Sequence, residues 1–206
     1  MTWDFYIFRH GETDWNKQRR IQGHTNTSLN DVGSKQAETL IPILRDKQIE
    51  VIYSSDLDRA TETAKIVNRN LNLEIKTTEK LREAHFGEAE GLLLEEIIAK
   101  WGQELWDNFR KLDRSFYGIG FPGGETRGAS VQRMRSVIDE IMNFTTYKKI
   151  AISTHGGVVR NLLHSFLPDD HEPLPIHNCV CYHLQYDSKS EEWRVIGPLN
   201  SGEDYF

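Results

Sequence analysis

Two histidines and two arginines stand in patterns that could bind and transfer a phosphoryl group. His10 lies between Arg9 and a glycine, and His155 precedes two consecutive glycines. A neutral imidazole has an accessible lone pair near neutral pH and can accept a phosphoryl group. Arginine pairs with phosphate oxygens through a planar fork that keeps its charge, and Arg59 supplies a second such group. These residues predict phosphoryl transfer that depends on positioning and positive charge.

Each of these polar segments lies at or just beyond the end of a predicted β-strand. Residues 3–8, 51–53 and 149–154 are short runs rich in apolar and β-branched side chains, which is typical of buried strands. In parallel α/β sheets, ligands bind in the crevice beyond the carboxyl ends of the strands. If the three strands lie side by side, the two histidines and the two arginines converge on one rim of the sheet.

Strands that alternate with amphipathic helices predict an α/β fold, here a three-layer α/β/α sandwich. The sheet is expected to be mixed but mostly parallel, with helices on both faces. Residues 54–56, Ser-Ser-Asp, are predicted to cap the helix after the second strand. The remaining predicted elements are helices near residues 37–44, 60–71, 131–141 and 156–166, a strand at residues 73–76, and a closing hairpin at residues 180–186 and 193–196.

We expect one domain over residues 1–206, with a helical cap or loop inserted at about residues 92–125. The inserted segment is rich in Trp, Leu, Glu and Lys and breaks at glycines near its end. No linker divides the chain. The apolar side chains expected to pack the insertion over the site are Trp101, Leu105, Trp106 and Phe109.

Composition narrows the class of partner. The net charge of −6 and the isoelectric point near 5.8 argue against non-specific binding to nucleic acid or to anionic membranes. No stretch approaches the ~20 apolar residues that span a bilayer, and no secretory signal is expected at the N-terminus. Cys179 and Cys181 cannot form a disulfide framework and are expected to be reduced and half-buried. We expect a cytoplasmic protein with a small-molecule partner, and a homodimer stays open.

Four sequence blocks carry a resemblance to a known family. Residues 9–16 begin Arg-His-Gly-Glu-Thr, and residues 54–64 read Ser-Ser-Asp-Leu-Asp-Arg-Ala-Thr-Glu-Thr-Ala. Residues 82–91 contain Arg-Glu, Phe-Gly and Glu-Gly pairs, and residues 153–160 begin Ser-Thr-His-Gly-Gly and end in arginine. In this order, the blocks resemble the motifs of the histidine phosphatase superfamily, the phosphoglycerate-mutase-like proteins. A lone Arg-His-Gly triplet would be a weak signal, but the four blocks span nearly the whole chain.

The resemblance implies a role for each matching residue. His10 is the expected nucleophile, which forms a phosphohistidine, and Glu83 is the expected general acid and then the base that activates water. Glu88 and Glu90, which are close in sequence, are the alternatives to Glu83 as this acid and base. The expected catalytic residues are His10, Glu83, His155, Arg9 and Arg59. The expected substrate-binding residues are Arg9, Asn16, Gln22, Gly23, Arg59, Glu83 and Gly156.

Two reactions stay open within this resemblance. A phosphatase passes the phosphoryl group from His10 to water, whereas a cofactor-dependent phosphoglycerate mutase returns it to a second hydroxyl and needs further cations over the site. The candidate cations are Lys100, Arg110, Lys111, Arg114 and Arg127. Residues 121–126, Phe-Pro-Gly-Gly-Glu-Thr, resemble a stretch of broad-specificity and α-ribazole phosphatases. This stretch favours a phosphatase that acts on a small phosphorylated metabolite.

Two alternatives come from other classes of protein. A non-catalytic module could keep the phosphate pocket and lack turnover, but the nucleophile, the acid and the phosphate clamp all stand in the sequence. A zinc site at His10, His85 and His155 is disfavoured, because these residues lack the spacing of motifs such as His-Glu-x-x-His. We therefore predict an enzyme without a metal or cofactor.

Overall fold

Strand β1 (Thr2–Arg9) shows why the chain folds around a buried sheet. Its side chains alternate between two apolar layers, with Phe5 and Ile7 in one and Tyr6 and Phe8 in the other. A strand that is apolar on both faces needs helices on both sides. The computed structural model, which describes residues 1–200, has this arrangement, and the last six residues of the predicted domain lie outside the described residues.

The sheet is mixed but mostly parallel. The other strands are β2 (Val51–Ser55), β3 (Ile75–Thr78), β4 (Lys149–Thr154), β5 (Cys181–Asp187) and β6 (Glu192–Ile196). They form one six-stranded sheet in the order β3-β2-β4-β1-β5-β6. Strand β2 pairs in parallel with β3 and β4, and β4 pairs in parallel with β1. Strand β5 runs antiparallel to β1 and forms a hairpin with β6. The predicted sheet and its closing hairpin are confirmed.

Helices cover both faces of the sheet. They are α1 (Asp14–Lys17), α2 (Asp31–Glu38), α3 (Leu40–Arg45), α4 (Asp58–Asn68), α5 (Leu94–Trp101), α6 (Gln103–Arg110), α7 (Arg127–Phe144) and α8 (Gly156–His164). Apolar side chains of α2, α3 and α4 pack on one face, and those of α7 and α8 pack on the other. The predicted α/β/α sandwich is confirmed. No helix within residues 1–200 is both long enough and apolar enough to cross a membrane.

The strand order brings three polar strand ends together. Strand β4 lies between β2 and β1, and the register pairs Arg9 of β1 with Thr154 of β4. Ser54 of β2 lies opposite Ser153 of β4. The carboxyl ends of these strands are therefore level, as the convergence of the sequence motifs requires.

The predicted helix at residues 37–44 is interrupted, because α2 ends at Glu38 and α3 begins two residues later. Pro42 explains the interruption. It has no N–H to donate to the carbonyl of Glu38, four residues earlier, and its ring crowds that carbonyl. The apolar spacing found the buried face of this segment but not the break.

The predicted helix cap at residues 54–56 is wrong, because β2 continues through both serines and α4 begins only at Asp58. The N–H of Asp58 donates to Asn26 Oδ1 at 2.8 Å, and the N–H of Arg59 donates to Thr27 O at 3.1 Å. A distant loop thus satisfies the first N–H groups of α4, which local sequence cannot show.

The inserted segment forms α5, α6 and a 3-10 turn at Arg114–Phe116. Its side chains pack in a third apolar cluster around Phe86 and Phe121. The predicted packing residues Trp101, Leu105, Trp106 and Phe109 all join this cluster. Ala84 belongs to it as well, so the insertion packs directly beside the segment that carries Glu83.

The two cysteines are free, and both are almost completely buried rather than half-buried. Cys179 and Cys181 pack in the apolar layer that contains α2, α3 and α4. Burial raises the pKa of each thiol to about 12. The thiols are therefore packed as small apolar groups.

His164 ties the end of α8 to the segment that returns to β5. Its Nε2 accepts a hydrogen bond from the Leu174 N–H at 3.1 Å, so the ring must be neutral to make this bond. Burial, with smaller effects from His171 and Arg160, lowers the pKa of His164 to about 4. Protonation of this ring opposes the folded arrangement.

We predict that His164 destabilises the protein as the pH falls from about 6.5 to about 4. The unfolded chain binds a proton near the ordinary histidine pKa of about 6.5, whereas the folded chain binds it only near about 4. Unfolding takes up a proton over this interval, so acid favours it. In urea titrations, the wild type should lose about 2 kcal/mol more unfolding free energy over the interval than His164→Gln, which keeps an acceptor without titrating. Parallel pH profiles for the two proteins would contradict this account.

Candidate active site

His10 lies just beyond the end of β1 in the orientation that a nucleophile needs. It is 3% exposed, and its Nδ1 lies 2.7 Å from the carbonyl oxygen of Gly11. A carbonyl only accepts hydrogen bonds, so Nδ1 carries the proton and Nε2 keeps its lone pair. Burial, followed by the charges of Arg59 and Arg9, holds the pKa of His10 well below its usual range. The neutral ring is therefore the form present at neutral pH.

His155 and Arg59 form a buried pair beside His10. The imidazole rings of His10 and His155 have centroids 5.2 Å apart. Arg59 Nε donates to His155 Nδ1 at 3.1 Å, which leaves the His155 proton on Nε2. That Nε2 is buried and has no hydrogen-bond partner among residues 1–200. An unsatisfied buried donor costs about 1–3 kcal/mol, so this N–H is suited to an oxygen of a bound ligand.

Arg59 is held in place by carbonyl oxygens of one loop. It is fully buried on α4, and its terminal nitrogens donate to Thr25 O at 2.9 Å and to Gly23 O at 2.7 Å. Glu90 fixes the same loop by accepting hydrogen bonds from two of its N–H groups. Burial lowers the pKa of Arg59 to about 10, so the guanidinium stays charged at neutral pH. The same burial and the Arg59 charge hold the pKa of His155 well below its usual range.

Arg9 brings a second positive charge to this place from the last position of β1. Its guanidinium donates to Ile176 O at 2.8 Å. It also lies against the start of α8, since a Cβ on Gly156 would lie 3.0 Å from Arg9 Nε. The site therefore gathers two arginines locally in a chain whose net charge is −6.

Glu83 contacts the N-terminal end of α8. Its Oε2 accepts a hydrogen bond from the Gly157 N–H at 2.9 Å, and its Oε1 accepts one from the Val158 N–H at 3.0 Å. Oε1 also accepts from the N–H of Ala84 at 3.0 Å. The first N–H groups of a helix have no partner within the helix, and the helix dipole favours negative charge there. The carboxyl group therefore lies at the helix start that directly follows His155.

The competing carboxylates are engaged elsewhere. Glu88 pairs with Lys100 at the surface, with nitrogen and oxygen 2.8 Å apart, and Glu90 holds the loop that binds Arg59. The geometry therefore favours Glu83 over both competitors for proton transfer.

The other predicted residues, Asn16, Gln22 and Gly23, lie in the segment that follows His10, and Gly23 O accepts a hydrogen bond from Arg59. Asn16 Oδ1 and Gln22 Oε1 both lie 3.1 Å from the hydroxyl of Thr13. Gly23 has a left-handed φ of 55° and packs against the side chain of Glu90, so its position excludes a side chain. All the predicted site residues are thus linked by contacts to this one region.

Two residues that sequence reasoning did not single out support His10. Thr63 Oγ1 accepts a hydrogen bond from the Gly11 N–H at 3.1 Å and donates to Arg59 O at 2.7 Å. Asn178 Nδ2 donates to His10 O at 3.0 Å. Thr63 lies one helical turn after Arg59 in the second motif, which is a usable signal. Asn178 lies between elements of the chain, where no periodicity marks it.

The alternative zinc set is not assembled. The ring of His85 packs edge-on against His24, with centroids 4.9 Å apart. In the part of the chain that the structure describes, no group of three or more His, Cys, Asp or Glu side chains is arranged to hold a metal ion. The two central histidines instead contact arginines and backbone carbonyl groups.

The sequence of this chain matches a known protein family over most of its length. The family described as the histidine phosphatase superfamily (branch 1) matches residues 5–197. This chain belongs to the histidine phosphatase superfamily. The resemblance carried by the four sequence blocks is thereby confirmed.

Relatives of this member of the superfamily carry both mutase and phosphatase names. Phosphoglycerate mutase-like protein 4 of Arabidopsis thaliana is 37% identical over 163 residues, which cover 77% of this chain and 69% of that protein. Uncharacterized phosphatase PhoE of Bacillus subtilis is 28% identical over 191 residues, covering 92% and 90% of the two chains. The solved mycobacterial glucosyl-3-phosphoglycerate phosphatase Rv2419c with VO3 superimposes with a TM-score of 0.79 at 27% identity, covering 94% of this chain and 97% of that one.

We predict that Gly157→Ala impairs turnover of phenyl phosphate without unfolding the protein. A Cβ on Gly157 would lie 2.8 Å from Glu83 Oε1, so the carboxyl group must move. Alanine favours a helix over glycine by up to about 1 kcal/mol, so thermal stability should not fall. Because positioned proton transfer contributes about a hundredfold or more, we expect kcat to fall about tenfold.

Gly118→Ala is the matched control for this substitution, because a Cβ there meets no atom within 4 Å. Its kcat should equal that of the wild type. Full activity in Gly157→Ala would show that the position of the Glu83 carboxyl group does not matter.

Proposed function

We propose that this histidine phosphatase is a metal-independent phosphomonoester hydrolase that acts through a phosphohistidine on His10. Its substrate in this proposal is a small phosphorylated metabolite. The observation that carries the proposal is the fixed imidazole of His10, whose Nε2 lone pair is kept free by the Nδ1 contact with Gly11 O. The charges of the buried Arg59 and Arg9 act on this ring, and His155, whose Nε2–H has no partner among the described residues, has its ring centroid 5.2 Å away.

In the first step, His10 Nε2 attacks phosphorus and the bond from phosphorus to the ester oxygen breaks. Arg9, Arg59 and the His155 Nε2–H stabilise the charge on the phosphoryl oxygens. Glu83 in its acid form gives its proton to the departing oxygen. The N–H groups at the start of α8 stabilise the carboxylate that is left on Glu83, which favours this transfer.

In the second step, water replaces the alcohol. The Glu83 carboxylate takes a proton from water as the water oxygen attacks phosphorus, and the phosphorus–nitrogen bond breaks. The electron pair of that bond returns to His10 Nε2, and inorganic phosphate leaves. The enzyme is restored with Glu83 protonated and His10 neutral, so the cycle consumes only the ester and water.

A phosphoglycerate mutase is the second candidate, and the grouping of three cations favours it. Arg110, Lys111 and Arg160 line one surface cavity of about 650 Å³, but three aspartates line it as well and offset their charge. The other candidate cations have different contacts: Lys100 pairs with Glu88, Arg114 pairs with Asp169 at 3.2 Å, and Arg127 donates to the carbonyl groups of Asn108 and Phe109. With most candidate cations engaged elsewhere, a hydrolase is the better supported reaction.

We extend the proposal to a reducing compartment, with the cytoplasm as the expected location. Both cysteines are free, and proteins with reduced thiols are typical of such compartments.

The decisive experiment measures release of p-nitrophenol from p-nitrophenyl phosphate in the presence of EDTA. The wild type should turn over, and His10→Ala should lose at least about a thousandfold of the rate, because the covalent step is removed. Acid-labile, alkali-stable labelling of the wild type by phosphorus-labelled substrate should identify the phosphohistidine, and His10→Ala should remain unlabelled.

His183→Ala serves as a matched histidine control, since His183 lies on β5 and pairs with Asp4. It should keep wild-type turnover. Activity that EDTA abolishes would contradict the metal-independent mechanism. Interconversion of phosphoglycerates faster than their hydrolysis would favour the mutase, and absence of both reactions would leave a binding module.

A further inference from the structure

Glu83 lies on a segment without regular secondary structure, so its accurate placement needs support from outside that segment. We propose that Arg133 on α7, paired with Glu125, is a positioning residue that fixes the backbone of Glu83 and so places its carboxyl group for proton transfer. This inference rests on the proposed function, because it assigns the device that orients the proton donor. Arg133 itself contacts no reacting atom in this proposal.

The guanidinium of Arg133 binds the segment before and at Glu83. Its Nη1 donates to Lys80 O at 2.7 Å and to Arg82 O at 2.9 Å. Its Nη2 donates to Glu83 O at 3.2 Å. Three carbonyl oxygens within four residues are therefore held by one rigid, planar group.

Glu125 holds that guanidinium in the required plane. Its two oxygens accept from Arg133 Nε at 3.0 Å and from Arg133 Nη2 at 2.8 Å, which is a bidentate pair. All five N–H donors of Arg133 are then used, two by Glu125 and three by carbonyl groups. The side chains of Arg133 and Glu125 are 20% and 16% exposed, so the pair is only weakly screened by water.

The Pro-Gly-Gly-Glu stretch docks the other side of the same segment. The N–H of Glu125 donates to His85 O at 2.7 Å. A Cβ on Gly124 would lie 2.6 Å from that carbonyl oxygen, so glycine permits the close approach. Residues 121–126, which resemble a stretch of broad-specificity phosphatases, thus pack against the segment at residues 80–85. Glu125 of this stretch also holds the guanidinium of Arg133.

Lysine could not replace Arg133 in this arrangement. Its ammonium is a compact point charge with three donors, whereas the contacts here need a fork that reaches one carboxylate and three carbonyl groups. His24 gives partial support, because its Nε2 lies 2.8 Å from Glu83 O and must donate to that carbonyl. Loss of Arg133 should therefore loosen the placement of Glu83 without removing the residue.

The test compares two esters that differ in their need for a proton. p-Nitrophenol leaves readily without one, whereas phenol leaves poorly unless the acid assists. We would measure the single-turnover phosphorylation rate with each ester and take their ratio, p-nitrophenyl over phenyl. Arg133→Met should raise this ratio about tenfold over the wild type, because the acid is misplaced while His10 and its arginines remain. Glu83→Gln removes the acid itself, so it should raise this ratio further and give the largest increase that loss of the acid can produce.

Matched variants separate positioning from general damage. Arg135→Met lies on the same helix, its guanidinium packs over the Phe166 ring at 4.3 Å, and its ratio should equal that of the wild type. Arg133→Lys and Glu125→Gln should give intermediate ratios, and they stand in if Arg133→Met does not fold.

An unchanged ratio in folded Arg133→Lys and Glu125→Gln, or equal slowing with both esters, would overturn the positioning role. If Glu83→Gln raises the ratio and the Arg133 variants do not, only this inference fails. If Glu83→Gln leaves the ratio unchanged, the proposed proton donor is wrong and the inference falls with it. A wild type that phosphorylates with neither ester overturns the proposed function as well.

Discussion

The rest of the site depends on the contacts that the first turn of α8 makes. Its N–H groups face the Glu83 carboxyl group, and the Arg9 guanidinium lies against its first residue. The Glu83 carboxyl group and the Arg9 guanidinium can lie this close to the first turn of α8 only because Gly156 and Gly157 have no side chains. The helix dipole stabilises the carboxylate that Glu83 becomes in the proposed mechanism when it gives up its proton, and that carboxylate offsets part of the charge of Arg59. A side chain at either glycine would separate groups that must act together.

This arrangement also explains how two histidines stay neutral inside a strongly charged site. Arg59 and Arg9 oppose any further positive charge, and burial removes the water that would stabilise it. The hydrogen bonds then fix which nitrogen of each ring carries the proton. His10 donates from Nδ1 and keeps its lone pair on Nε2, whereas His155 accepts at Nδ1 and presents a donor at Nε2. In the proposed mechanism, the first ring attacks phosphorus and the second binds its oxygens.

Sequence reasoning succeeded where chemistry follows from strand order. The carboxyl ends of β1, β2 and β4 meet at one rim if these parallel strands lie side by side, so the grouping of Arg9, Arg59 and His155 could be predicted on that condition. It failed where distant segments meet. Neither the capping of α4 by the loop at Asn26 nor the support of His10 by Asn178 follows from local periodicity. Such contacts depend on how loops pack across the sheet, and a single sequence does not encode them as a pattern.

The site joins two parts with different physical origins. The groups assigned to the phosphoryl group come from the carboxyl end of β1, from α4 and from the residue that precedes α8, and all of them are buried. The proposed proton donor, Glu83, comes from a loop segment that borders the inserted helices and packs with their aromatic side chains. The Glu125–Arg133 pair connects the two, because α7 packs on the sheet while its arginine holds the loop. Changes in the insertion can therefore alter the surroundings of the leaving group while the phosphate clamp stays intact, provided that this ion pair is kept.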